Sequence, residues 1–82
     1  MYKIIFSPGF QKDLSKIPKD YHKKINETIL TLSKNPYPKG CVKLSSEEAY
    51  RIRIGIYRII YRIFKNELIL EILKVGHRQG VY

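Results

Sequence analysis

Tyr50-Arg51-Ile52-Arg53-Ile54-Gly55-Ile56-Tyr57-Arg58-Ile59-Ile60-Tyr61-Arg62-Ile63-Phe64 is the stretch that decides the fold. Residues 50–54 alternate strictly between isoleucine or tyrosine and arginine, the pattern of a half-buried strand. Gly55-Ile56 suits a tight two-residue turn, and residues 57–64 read as the returning strand of a hairpin. Side chains alternate across a strand, so Arg51 and Arg53 share one face while Ile52 and Ile54 share the other. The isoleucines belong to a helix-packed face and the arginines to an open one. Arg58 and Arg62 share a face of the second strand, and antiparallel pairing can bring Arg58 beside the first two. Like charges facing each other across strands repel, so three gathered guanidinium groups make sense if a phosphate sits among them. Arginine suits that role because its planar fork grips a phosphate through two hydrogen bonds. The blander reading is three arginines fanned apart in water.

Upstream, Tyr2 to Phe6 is β-rich and reads as a short strand. Ser7-Pro8 is a helix start, with serine at the N-cap and proline at the first helical position. Phe10, Leu14 and Ile17 then form one helical stripe, which Pro18 ends. Tyr21, Ile25, Ile29 and Leu32 form the stripe of a second helix. Asn35-Pro36 stops it, because a residue before proline is pushed out of the α region. Two helices this close in sequence predict an antiparallel pair. Residues 36–47 read as loop with a possible short strand near Cys41 to Leu44. Downstream, Lys65-Asn66-Glu67 is a turn and Leu68 to Val75 an apolar strand that Gly76 breaks, leaving His77 to Tyr82 as a polar tail. The expected fold is α+β: an N-terminal strand, an antiparallel two-helix hairpin, then a three- to four-stranded, mainly antiparallel sheet with the helices on one face.

A chain of 82 residues allows a single domain, 1–82, with a thin core. Apolar residues make up 44%, enough for a globular fold. No apolar run approaches the ~18 residues of a membrane span, and the N-terminal apolar stretch is too short for a signal peptide. A cytoplasmic location without membrane attachment is expected. Cys41 is the only cysteine, which excludes an internal disulfide and a cysteine-based zinc cluster. The formal charge is +9, a field that favours a polyanionic partner. All five arginines, Arg51, Arg53, Arg58, Arg62 and Arg78, fall in the second half, whereas the first fifty residues carry lysine alone. The first half therefore reads as scaffold and the second as working surface.

His77 follows the glycine that ends the last strand and adjoins Arg78, a place suited to proton transfer near neutral pH. His22, between Tyr21 and Lys23, reads as a surface residue. Tyr50, Tyr57 and Tyr61 flank the arginine strands and can stack exposed bases, though tyrosine is also an ordinary strand former. The sequence holds no glycine-rich phosphate loop, and its acidic residues are too scattered for a divalent-metal site. No cofactor and no metal are expected.

The hairpin, together with Val75-Gly76-His77-Arg78 and Val81-Tyr82, resembles the RelE/ParE toxin superfamily over essentially the whole chain. The resemblance implies the toxin of a type II toxin–antitoxin system, and specifically an mRNA interferase that cuts message on the ribosome. It implies attack by a ribose 2′-OH on its own 3′ phosphate, without a metal, leaving a 2′,3′-cyclic phosphate and a 5′-OH. Residue by residue, the two basic hairpin positions fall on Arg51 and Arg53, the arginine after the tyrosine on Arg58, the tail arginine on Arg78 and the terminal aromatic on Tyr82. His77 stands where family members carry lysine or histidine. Arg58 is the expected stabiliser of the phosphorane. Arg51 and Arg53 hold the phosphate, His77 or Arg78 assists the leaving oxygen, and Tyr82 orients the nucleotide.

Two features depart from the family pattern. The aromatic is the last residue and brings a free carboxylate. Arginine at both hairpin positions makes a weak general base, since arginine keeps its proton. The ParE-like branch implies a different class, a non-catalytic poison of DNA gyrase, and a basic nucleic-acid-binding domain without catalysis is a third reading. In the toxin readings the expected partners are an acidic antitoxin, forming a hetero-oligomer, and the ribosome with its mRNA.

Overall fold

In the computed structural model, which describes residues 1–44 and 48–77, the order is β1 (Lys3–Phe6), α1 (Pro8–Ser15), a 3-10 turn (Lys19–Tyr21), α2 (His22–Lys34), β2 (Val42–Leu44), β3 (Ala49–Ile54), β4 (Tyr57–Phe64) and β5 (Ile69–His77). One sheet runs β1-β5-β4-β3-β2. Strands β2 to β5 form an antiparallel meander, and β1 returns parallel to β5. The expected α+β class and element order hold. α1 lies against β5, and α2 reaches the sheet at β3.

The joint between α1 and the sheet rests on an irregularity in β5. Ile60 pairs with Lys74 and Tyr61 with Ile72, so Leu73 is an extra residue, a β-bulge. Ser7 caps α1 by accepting from the Phe10 N–H at 3.2 Å. Its hydroxyl donates in turn to the Leu73 carbonyl at 2.8 Å. Gly9 packs at the same place, where a Cβ would stand 3.4 Å from the Leu73 carbonyl, at ordinary contact distance. On the next turn of α1 the Asp13 carboxylate accepts from the Val75 N–H at 3.3 Å.

His22 is not a simple surface residue. Its Nε2 lies 2.9 Å from the Ile17 carbonyl and 3.1 Å from the Leu14 carbonyl. Pro18 brings no N–H to continue the helix, so the carbonyls at the end of α1 use an outside donor. Both partners are acceptors, so Nε2 carries the proton. Tyr21, expected in the core, sits in the 3-10 turn with 38% of its surface exposed. It meets Tyr57 edge-on at 5.0 Å.

The core fills the helix side of the sheet. Phe10, Ile17, Ile25, Ile29 and Leu32 from the helical segments meet Ile54, Tyr57, Ile59, Tyr61, Ile63, Leu70, Ile72 and Val75 from the strands. Each such side chain contributes about 1.5–3 kcal/mol on burial. Tyr61 is fully buried and donates to the Pro36 carbonyl at 2.8 Å. Tyr50 stacks on Tyr61 at 5.9 Å, and Tyr37 meets Tyr50 edge-on at 5.4 Å. Tyr50, Tyr57 and Tyr61 are buried among helices and strands, so of the two readings of these residues the strand-forming one holds and base stacking does not. One-residue alternation puts them on the other face.

The turn glycine and the last strand settle the ends of the hairpins. Gly55 has φ +60° and Ile56 does not have positive φ, the pattern of a II′ turn with glycine at its first central position. The final strand begins at Ile69, because Leu68 takes φ +54° in the turn. It also continues through Gly76 to His77, pairing with Arg58 and Tyr57. Gly76 therefore does not break the strand. The β4 ladder holds it in place, and a glycine in a strand weakens pairing without ending it.

Candidate phosphate-binding face

Three rows of residues cross the open face. Nearest the hairpin tip, Arg53 pairs with Arg58 and Arg58 with Gly76. The next row runs Val42, Arg51, Ile60, Lys74, and the third runs Leu44, Ala49, Arg62, Glu71. Directly opposed residues have Cβ atoms about 4.5–5.5 Å apart, so Arg53 and Arg58 are immediate neighbours and Arg51 is diagonal to Arg58. Arg51 and Arg58 are half-buried and Arg53 is exposed. The Arg58 Nε is shielded from solvent. Its partner across the ladder on β5 is Gly76, which carries no side chain.

Ile60 explains how the sheet tolerates this charge. It is only 3% exposed yet stands outside the core cluster, on the arginine face. Its neighbours there are all cations, with Arg51 and Lys74 across and Arg58 and Arg62 along the strand. Arginine and lysine cover apolar surface with their methylene stems while their heads stay in water. The cluster thus has a packing role as well as an electrostatic one.

The face is not uniformly basic. Glu71 stands opposite Arg62, and Glu67 and Glu71 border a hollow with Ile5, Phe64 and Ile69 at the corner near β1. Among the described residues no carboxylate stands in register with Arg53 or Arg58. An anion is therefore attracted to the hairpin end and repelled from the β1 corner.

His77 is placed differently from the arginines. It pairs with Tyr57, whose ring lies 6.3 Å away, on the helix side of the sheet. There it borders a cleft of about 290 Å³ together with Asp13, Lys16, Tyr57 and Gly76. The structure brings Arg51, Arg53 and Arg58 together and does not bring His77 to them. Arg78 and Tyr82 lie outside the described residues. Lys74 joins the arginine face, a residue that sequence reasoning did not single out. Its signal was hidden by the bulge at Leu73, which shifts the alternation of β5 by one residue. Among the described residues no three His, Cys, Asp or Glu side chains gather where they could hold a metal ion, and no helix is long and apolar enough to cross a membrane.

A family model described as the ParE toxin of the type II toxin–antitoxin system parDE matches residues 4–82. The chain belongs to the RelE/ParE toxin superfamily. RelE1 of Methanocaldococcus jannaschii is 39% identical over 75 residues, covering 87% of this chain and 83% of that one. Toxin RelE3 of the same organism is 30% identical over 86 residues, covering 98% and 94%. Among solved structures, the toxin–antitoxin complex RelBE2 of Mycobacterium tuberculosis superposes with a TM-score of 0.82 at 30% identity, covering 94% of this chain and 98% of that one. The archaeal RelE–RelB complex of Pyrococcus horikoshii gives 0.80 at 25%, covering 94% of each. The sheet, its helix-covered side and its open face are thus those of RelE-type toxins.

Proposed function

We propose that this RelE/ParE-type toxin is a ribosome-dependent mRNA endoribonuclease and that its arginine face holds the scissile phosphate. The observation that carries this reading is the opposed pair Arg53 and Arg58, with Arg51 diagonal to it on the same face of the sheet. In the reaction the 2′-oxygen bonds to phosphorus, its proton leaves to a base, and the bond from phosphorus to the 5′-oxygen breaks. The 5′-oxygen takes up a proton. The products are a 2′,3′-cyclic phosphate and a 5′-OH.

Negative charge grows on the phosphorane as it forms. Donors already fixed around it therefore stabilise the transition state more than the ground state. Arg58 is best placed, since it is half-buried in the middle of the arginine row, opposite Arg53 on β3. Arg51 and Arg53 orient the phosphate. Arg78 and Tyr82 complete the site in this reading, Arg78 by stabilising the charge on the leaving 5′-oxygen, which takes its proton from solvent, and Tyr82 by orienting the nucleotide. His77 lies on the helix side, where it pairs with Tyr57 at the end of β5. Three arginines that keep their protons make a slow catalyst alone, which suits substrate geometry supplied by the ribosome. The attacking group belongs to the RNA, so the mechanism calls for no metal.

An acidic antitoxin is the proposed protein partner, on the strength of the +9 charge and of the RelB–RelE complexes among the structural relatives. The ParE description of the matching family favours one second reading, a non-catalytic gyrase poison. Primer extension on translated message separates the two. Cleavage with 2′,3′-cyclic phosphate and 5′-OH ends is expected. Ends of 3′-OH and 5′-phosphate would refute the 2′-OH mechanism, and inhibited gyrase supercoiling with intact message would establish the poison.

A further inference from the structure

The second row of the open face has a spacing of its own. Lys74 and Arg51 stand on either side of Ile60, in register with it on β5 and β3. Adjacent strands lie about 4.8 Å apart, so the two backbones are roughly 10 Å apart, a gap that two long side chains can close over one small anion. The pair Arg53 and Arg58 lies two residues further along, about 6.6–6.8 Å away. That offset is on the scale of one nucleotide of extended chain. Lys74 is exposed and Ile60 beneath is not, so the ammonium stands above an apolar floor. Beyond it, Glu71 faces Arg62 in the third row and turns the potential against a further phosphate.

We infer that Lys74 forms a second phosphate subsite next to the one at Arg53 and Arg58, with Arg51 between the two and within reach of both, so that the face grips two consecutive phosphates of a single strand and no third. This rests on the nucleic-acid reading of the same face and deepens it. It makes the ligand a polynucleotide segment, since a mononucleotide fills one subsite only. Lys74 is a binding residue in this account. The gripped phosphate is the neighbour of the reacting one, and Lys74 touches none of the reacting atoms.

The test uses cleavage-resistant 2′-deoxy oligonucleotides carrying one, two or three consecutive phosphates, and a set in which single phosphates are neutral methylphosphonates. For the wild-type protein the second phosphate should tighten binding about ten-fold, the scale of a charge-assisted contact, and the third should add nothing. Lys74→Gln should erase the gain from the second phosphate. It should also lower the slope of log K against log salt by about 0.7, the loss of one single-strand phosphate contact. In Lys74→Gln, neutralising the second phosphate should then change nothing. Arg58→Gln separates the two claims. If Arg58→Gln weakens every oligonucleotide while Lys74→Gln keeps the full gain from the second phosphate, the subsite is overturned and the nucleic-acid reading stands. If neither substitution changes affinity, the reading of the whole face falls with it.

Discussion

The two faces of the β3–β4 hairpin differ by one residue of register and by nearly everything else. Toward the helices stand Tyr50, Ile52, Ile54, Tyr57, Ile59, Tyr61 and Ile63; toward the open side stand Ala49, Arg51, Arg53, Arg58, Ile60 and Arg62. The first set is enclosed by α1, α2 and the 3-10 turn and carries the stability. The second carries four of the five arginines. A strand's period of two thus lets the same fifteen or so residues specify a core and a charged surface independently. Ile60 is the exception. It is an apolar residue buried on the charged face, and it couples the two functions through the stems of its cationic neighbours.

The sharpest way to break the comparison is to damage each face alone. Ile59→Ala removes a fully buried side chain paired between Ile52 and Val75. It should cost about 2–5 kcal/mol and lower the melting temperature by roughly 4–8 °C per kcal/mol in a domain of this size. Cleavage per folded molecule should be unchanged. Arg58→Gln should do the reverse, lowering cleavage by about 10²–10³-fold with a near-normal melting curve. Glutamine is the right replacement because it keeps part of the stem over Ile60, whereas alanine would uncover it. A catalytic loss in Ile59→Ala, or full cleavage by Arg58→Gln, would end the division of labour.

Most of the fold, and the shared face of the three hairpin arginines in the candidate site, were legible because they follow from local chemistry. Ser7-Pro8, Asn35-Pro36 and the alternation of residues 50–54 each carry their own signal. So the alternation alone places Arg51, Arg53 and Arg58 on one face. What could not be read needed long-range partners. The Leu73 bulge exists because the Ser7 hydroxyl, 66 positions away, takes its carbonyl. That bulge decides which way Lys74 points. His22 looked like surface because its acceptors, Leu14 and Ile17, only become its neighbours when the chain folds back at Pro18. For Tyr50, Tyr57 and Tyr61 the sequence left base stacking and strand formation open, and burial on the helix side decides for the second. Arg78 and Tyr82 remain sequence assignments.

His77 sharpens the comparison further, since it lies at the hairpin end but on the helix side. His77→Gln should lower cleavage by less than the roughly 10²-fold that loss of a general acid or base costs. The pH–rate profile should keep its shape, because no proton moves through the imidazole. A fall of 10²-fold or more with a changed profile would mean that the ring reaches the reacting phosphate, and would return His77 to the catalytic set.

The smallest effect tests the quiet face by pH. Burial, more than any neighbouring charge, pushes the Tyr61 hydroxyl far above its ordinary value of 10.0. Burial, followed by the Glu48 carboxylate 3.2 Å away, also raises Tyr50. In the unfolded chain both titrate near pH ~10. Above that pH the folded protein keeps protons that the unfolded chain has lost, so stability is fully present below about pH 10 and declines as pH rises. Each tyrosine contributes at most about 1.4 kcal/mol per pH unit to that decline. Tyr61→Phe leaves the Pro36 carbonyl without its donor and should cost about 1 kcal/mol at pH ~8. It also removes one of the two titrations. Its stability should therefore fall less steeply than wild type above pH ~10, and the two curves should converge and then cross. Urea midpoints at pH ~8, ~10 and ~11 measure this directly. Curves that stay parallel throughout would show that the Tyr61 hydroxyl is not held protonated by its surroundings, and the picture of a dry, uncharged helix face beneath the charged one would lose its support.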